Sequence, residues 1–138
     1  DIDLALSQSN DNPVYYIQYA HARICSILRK MDEQKISWNQ ANGLTKLDLL
    51  TEEQEKSLAN KLARFPEIVS VAGTSNAPHL VANYLHELAG DFHSYYNNHK
   101  TIVDDVDLRD ARITLTQAVR QVLVNGLDLL GISAPEKM

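Results

Sequence analysis

Apolar residues recur at three- and four-residue spacings along nearly the whole chain, and period-two alternation between hairpin turns is missing. This pattern predicts an all-α fold. The first helix begins at Pro13, with Asn12 as its cap and proline at the first helical position, and runs to the polar stretch MDEQK. On a wheel of ~100° per residue, Val14, Ile17, Ile24 and Leu28 fall on one side, with His21 in the middle of that stripe. The following ISWNQANGLTKLDLL reads as a loop, with a turn at Asn42–Gly43 and Trp38 as a lid over the core.

Thr51 followed by EEQE starts the next helix, with acids in the first turn, where the helix dipole favours them. It carries Leu58 and Leu62 inward and stops before Pro66. A short helix over PEIVSVAGTS ends at Gly73. In NAPHLVANYLHELAGDFHSYYNNHK, Asn76 caps near Pro78 and a long helix lines up Leu80, Tyr84, Leu88 and Phe92. An acidic connector, TIVDDVDLRD, leads to the last helix, whose inward stripe is Ile113, Leu115, Ala118, Val119, Val122, Leu123 and Leu130. Gly131 closes it, and ISAPEKM trails off as a tail. No repeat or low-complexity tract interrupts this order, so the elements predict a compact helical bundle.

A chain of 138 residues with 44% hydrophobic content suits one domain with its own core. No apolar run is long enough for a helical membrane span. The lone Cys25 has no internal disulfide partner, and with no secretory pattern at the start the expected compartment is the cytoplasm. The opening DIDLALSQSN starts at Asp1 without cap or start signal. The opening therefore reads as that of a piece cut from a longer protein, with a processed N-terminus as the alternative. A net charge of −5 speaks against gripping nucleic acid by bulk electrostatics. It leaves open the reading of a few splayed-out bases by stacking and pocket shape.

Spacing decides the catalytic and metal readings. His79, His86 and His93 recur every seven residues, which separates neighbours by ~10 Å along a helix, too far to share one ion. HELAGDFH fails the zinc-protease pattern because Gly90 stands where the second histidine is needed, and the Glu-x-x-His pairs of di-iron bundles are missing. His21 and Cys25 lie four residues apart on one helix and are able to touch, but no oxyanion site or orienting third group accompanies them. Neither phosphate-binding glycine motif occurs. No complete active site and no metal site is expected.

The aromatic and basic residues remain. Tyr16, Tyr19 and Arg23, at i, i+3 and i+7, form a strip beside the apolar stripe, and FHSYYNNHK adds Tyr95, Tyr96 and Lys100 near the end of another long helix. Tyrosine rings with an arginine alongside suit a site that stacks bases. Half-buried tyrosines packed at a rim give the same spacing, and the pattern alone leaves both readings open.

Three stretches taken together, NPVYYIQYAHARI, PHLVANYLHELAGDFHSYYN and the final QVLVNGLDLLGISAPEKM, closely resemble the C-terminal region of bacterial arginyl-tRNA synthetases, in order and over essentially all of the chain. The resemblance implies an all-α helical bundle of the class I synthetase anticodon-binding type over residues 11–138, with residues 1–10 as the junction from the absent catalytic domain. In such enzymes a preceding catalytic domain, using ATP and Mg, joins arginine to its tRNA. The HIGH and KMSKS-like signatures of that domain are not in this sequence, nor is the N-terminal domain that contacts the tRNA elbow, so the fragment itself is expected to be non-catalytic and without a cofactor.

Carried over residue by residue, the resemblance places Tyr16, Tyr19 and Arg23 against the anticodon stem-loop of tRNA(Arg), makes Tyr96 a wall of a base pocket, and has Met138 close it. Tyr15 and Tyr95 remain as packing residues. Arginine anticodons share a central cytosine, which one such pocket would serve. The implied partners are tRNA(Arg) and the parent's catalytic domain, with the chain otherwise a monomer. Arg109, Arg112 and Arg120, with Lys61 and Arg64, default to a solvated face, and the acidic runs 52–55 and 104–110 are expected to face away from RNA. The rival expectation is a helical protein–protein interaction bundle descended from such a domain.

Overall fold

The computed structural model describes residues 11–138; the expected junction at 1–10 lies outside the described residues. Six α-helices and one 3-10 turn follow one another, with no strand among the described residues. Helix α1, Pro13–Glu33, begins where the Asn12 side chain accepts hydrogen bonds from the backbone N–H groups of Val14 and Tyr15. It buries Ile17, Ala20, Ile24, Ile27 and Met31, a seam of alternating three- and four-residue steps. The core line is therefore rotated from the expected one: Val14 is exposed and Leu28 half-buried.

The stretch expected to be a loop folds instead as a short helix α2, Gln40–Thr45, capped by Asn39, followed by a 3-10 turn over Leu47–Leu49. Gly43 is not a turn residue. It is buried where α2 presses on the last helix, and a Cβ there would stand 2.5 Å from the Asp110 carbonyl and run into the Thr114 hydroxyl. Trp38 is half-buried beside it, its indole N–H donating to the Thr114 hydroxyl at 3.1 Å.

Helix α3, Glu53–Ala63, is capped by Glu52 rather than Thr51, through a reciprocal box in which the Glu55 side chain accepts from the Glu52 N–H. Glu55 is itself buried, so the acidic run is not a uniformly solvated face. Its carboxylate accepts from Tyr95 Oη at 2.6 Å and from Arg112 Nε at 2.9 Å. Asp110, within the second acidic run, is likewise buried, accepting from the Asn39 backbone and the Asn42 amide. The chain breaks at Arg64 and continues as α4, Phe65–Thr74, with Pro66 in its first turn. Gly73 remains helical. Asn76 does not cap the next helix; it takes a left-handed conformation (φ 49°) in the turn, and Pro78 occupies the cap position.

Helix α5, His79–Asn98, buries Tyr84, Leu85, Leu88, Phe92 and Tyr95, with Leu80 half-buried. Helix α6, Val106–Leu129, is capped by Asp105 and lies against α1 and α5 through Ile113, Val119, Leu123 and Leu127. Ala118, expected inside, is exposed, and Val122 and Leu130 are half-buried. Leu127 takes the inward place instead. The last residues do not trail off. After Gly131 (φ 70°) the chain turns back along α1, where Gln18 Nε2 donates to the Ser133 carbonyl at 2.9 Å and an Arg29 N–H to the Glu136 carbonyl at 3.0 Å. His21 Nδ1 lies 2.9 Å from the Pro135 carbonyl, so this core-stripe histidine anchors the tail.

Candidate nucleic-acid interface

Rotating α1 past its core seam brings out a second strip, Tyr19, Arg23, Ser26 and Lys30, at i, i+4, i+7 and i+11. This strip floors a cavity of about 430 Å³, walled by Tyr96 of α5 and by Lys137 and Met138 of the returning tail. The volume falls within the range of clefts that take small ligands. Arg23, Arg29, Lys30 and Lys137 line it, and among the described residues no acidic side chain does. A chain of net charge −5 thus concentrates four cations around one opening. Such a site attracts an anionic ligand locally although the whole molecule is acidic.

Arg23 is the best-fixed of the four. Its Cζ lies 4.2 Å from the centre of the Tyr96 ring and 5.0 Å from that of Tyr19. Its Nη1 is 3.0 Å from His93 Nδ1, and its Nη2 donates to the Tyr19 hydroxyl at 3.5 Å. His93 is buried behind the cavity, and burial foremost, with the Arg23 charge, holds its pKa below the ordinary histidine value against a smaller opposing pull from the Tyr16 carbonyl. The imidazole is therefore neutral at pH 7.

Four of the five residues expected from the resemblance, Tyr19, Arg23, Tyr96 and Met138, meet at this cavity. Tyr16 does not line it. One turn back on α1, it packs its ring against His93 at 4.8 Å and His86 at 5.1 Å. Tyr15 stacks on Tyr19 at 6.4 Å. Ser26, Arg29, Lys30 and Lys137 were not anticipated. Ser26 and Lys30 continue the Tyr19–Arg23 spacing along α1, a signal that was readable; Arg29 sits to one side of that strip, and Lys137 required knowing that the tail folds back.

The other candidates fall elsewhere. Arg112 is no solvated residue but the buried partner of Glu55, also donating to the Lys100 carbonyl at 2.8 Å. Lys61 pairs with Glu87 at 2.8 Å, and Arg109 donates to the Val103 carbonyl. Cys25 Sγ sits 3.8 Å from His21 Nε2, and burial raises its pKa, so it stays a thiol packed beneath the tail. Among the described residues no three His, Cys, Asp or Glu side chains are grouped to hold a metal ion. No described helix is long and apolar enough to cross a membrane.

Residues 17–138 match the DALR anticodon binding domain. The chain belongs to this family. As a DALR domain it is similar to part of several curated proteins. It is 56% identical over all 138 residues to an arginine–tRNA ligase of Thioalkalivibrio sulfidiphilus, covering 24% of that protein. It is 51% identical, again over its full length, to an arginine–tRNA ligase of Coxiella burnetii, covering 23% of it. Among solved structures, the arginyl-tRNA synthetase of Thermus thermophilus superposes with a TM-score of 0.80 at 38% identity, over 99% of this chain and 23% of that one. The chain thus spans about a quarter of the length of the curated relatives it matches. The DALR assignment, with the all-α architecture, bears out the fold and family expected from the three motifs, and the interaction-bundle reading is not favoured.

Proposed function

We propose that this DALR domain is the anticodon-reading part of an arginine–tRNA ligase, and that the Arg23–Tyr96 cavity takes the central cytosine of the tRNA(Arg) anticodon. The observation that carries the reading is the composition of the cavity. An arginine ordered on a tyrosine ring supplies a stacking plane, and three further cations stand ready for the adjoining phosphates. Met138 offers an apolar edge, and the Ser26 hydroxyl lies in the same lining for the polar edge of the base. Tyr16, outside the cavity, supports the wall through His93 and is exposed enough to touch the stem-loop.

The whole protein would attach arginine to tRNA(Arg) in the cytoplasm, its ATP and Mg handled by the catalytic portion and its tRNA held by this one as a monomer. Residues 11–138 form the RNA-reading unit, and 1–10 lead from the catalytic portion. The fragment alone is non-catalytic in this reading.

The decisive experiment is binding of the anticodon stem-loop of tRNA(Arg) against the same stem-loop with its central cytosine replaced by uridine. Salt-sensitive binding that favours the cytosine form is expected. Equal binding to both, or to an unrelated stem-loop, overturns the assignment of the cavity.

A further inference from the structure

His93 is buried at the junction of α1 and α5, behind the cavity rather than in its lining. An arginine guanidinium only donates and stays charged, so the His93 Nδ1 that lies 3.0 Å from Arg23 Nη1 must be the unprotonated acceptor. The ring's proton then sits on Nε2, facing the Tyr16 carbonyl across a long 3.5 Å contact. Tyr16 at 4.8 Å, Tyr19 at 5.5 Å and Phe92 at 6.1 Å wedge the imidazole in place. Arg23 is thereby held at Nη1 by His93, near Nη2 by the Tyr19 hydroxyl, and over the ring of Tyr96. A free arginine on a helix surface samples many rotamers and loses that freedom when a ligand orders it.

We propose that His93 is the positioning residue of the cavity: its neutral imidazole accepts a hydrogen bond from Arg23 and keeps the guanidinium over the Tyr96 ring before RNA arrives. This rests on the reading of the cavity as a nucleotide site. The groups facing His93 are Arg23, Tyr16 and Tyr19 from α1 and Phe92 from its own helix, with His86 on the far side of Tyr16. A protonated imidazole would lose its acceptor and set a second cation beside Arg23, so the same geometry weakens binding in acid.

The test compares stem-loop binding by the native chain, His93→Leu, His93→Gln, Arg23→Ala and the Arg23→Ala/His93→Leu pair. The leucine variant should bind about tenfold more weakly and discriminate cytosine from uridine less well. Glutamine, whose side-chain carbonyl can accept the same bond, should recover most of the loss. In the Arg23→Ala background the leucine substitution should change nothing further, because His93 acts through Arg23. Full affinity in the leucine variant, or an equal loss with and without Arg23, overturns the proposal.

Imidazole ¹⁵N shifts of the RNA-free native chain give a second readout that needs neither RNA nor the leucine variant. They should show Nδ1 unprotonated and respond to Arg23→Ala, and a proton found on Nδ1 overturns the proposal. Shifts as expected together with no stem-loop binding would mean that the nucleotide reading fails, taking the binding role of His93 with it, while the His93–Arg23 pairing stands.

Discussion

The guanidinium of Arg23 lies over the ring of Tyr96, its Cζ 4.2 Å from the ring centre, so that face of the tyrosine is covered before any ligand enters. The arginine cation, backed by the ring, is what lines the cavity there. Arginine suits this place because its cation is flat and stacks on both sides, which a lysine ammonium does not.

Arg23→Lys should therefore lose about 1–3 kcal/mol of stem-loop affinity although the charge is kept, and Tyr96→Ala should lose a similar amount by unseating the arginine. Tyr96→Phe preserves the ring face and should stay within about 0.5 kcal/mol of native. Fluorescence anisotropy titrations at fixed salt would decide; a fully active Arg23→Lys would show that charge alone matters there.

A different part of the molecule governs stability at Gly43. The added methyl of Gly43→Ala would meet the Asp110 carbonyl at 2.5 Å, and backbone cannot step aside as a side chain does. A cost of about 1–3 kcal/mol in urea unfolding is expected. Gly73→Ala, where a Cβ meets nothing within 4 Å and the backbone is helical, should instead stabilise by about 0.4–1 kcal/mol. The two glycines separate close approach from simple backbone freedom.

Glu55 and Arg112 form a buried pair whose side chains are 0% and 11% exposed. Arg112→Met leaves the carboxylate without its cation and should cost about 3–5 kcal/mol. Adding Glu55→Gln should recover part of that loss, because the stranded charge is then gone. Denaturation of the two single variants and the double variant measures the coupling directly, and additive losses would contradict it.

The acid side of the stability curve should carry the signature of His93. Its pKa is held below the ordinary value of 6.5, mainly by burial, so on acidification the unfolded chain takes up a proton that the folded chain refuses. Its contribution is complete above pH 6.5 and is lost progressively as pH falls from there through the depressed folded value. Urea midpoints followed from about pH 8 to pH 5 should fall less steeply for His93→Leu than for the native chain. Parallel curves would assign the acid loss to other groups.

Much of this was legible in the sequence because the signals were local. Asn12–Pro13 marks the start of α1 by cap chemistry, and the apolar stripes of α5 follow from period alone. Tyr19 and Arg23 share a face because helical geometry puts them there. What stayed hidden depended on partners far along the chain. Nothing near Gly43 announces the carbonyl of Asp110, and nothing near Glu55 announces Arg112, so one looked like a turn and the other like a solvated acid. The tail read as loose because its anchors, His21 to Pro135 and Gln18 to Ser133, are more than a hundred residues apart. Periodicity left Lys137 in that loose tail, and only the resemblance, through its neighbour Met138, pointed toward the cavity.

Trp38 is the chain's only tryptophan, and its indole N–H is tied to the Thr114 hydroxyl of α6. The cavity, by contrast, is furnished with Tyr19 and Tyr96. The protein thus carries two optical channels that do not share a residue. Tryptophan emission records whether the Trp38 segment is seated on the last helix, and the part of the tyrosine absorbance that comes from Tyr19 and Tyr96, two of the six tyrosines, responds to what enters beside Arg23. A ligand that moved both signals together would be transmitting its arrival as far as the seat of Trp38 on α6.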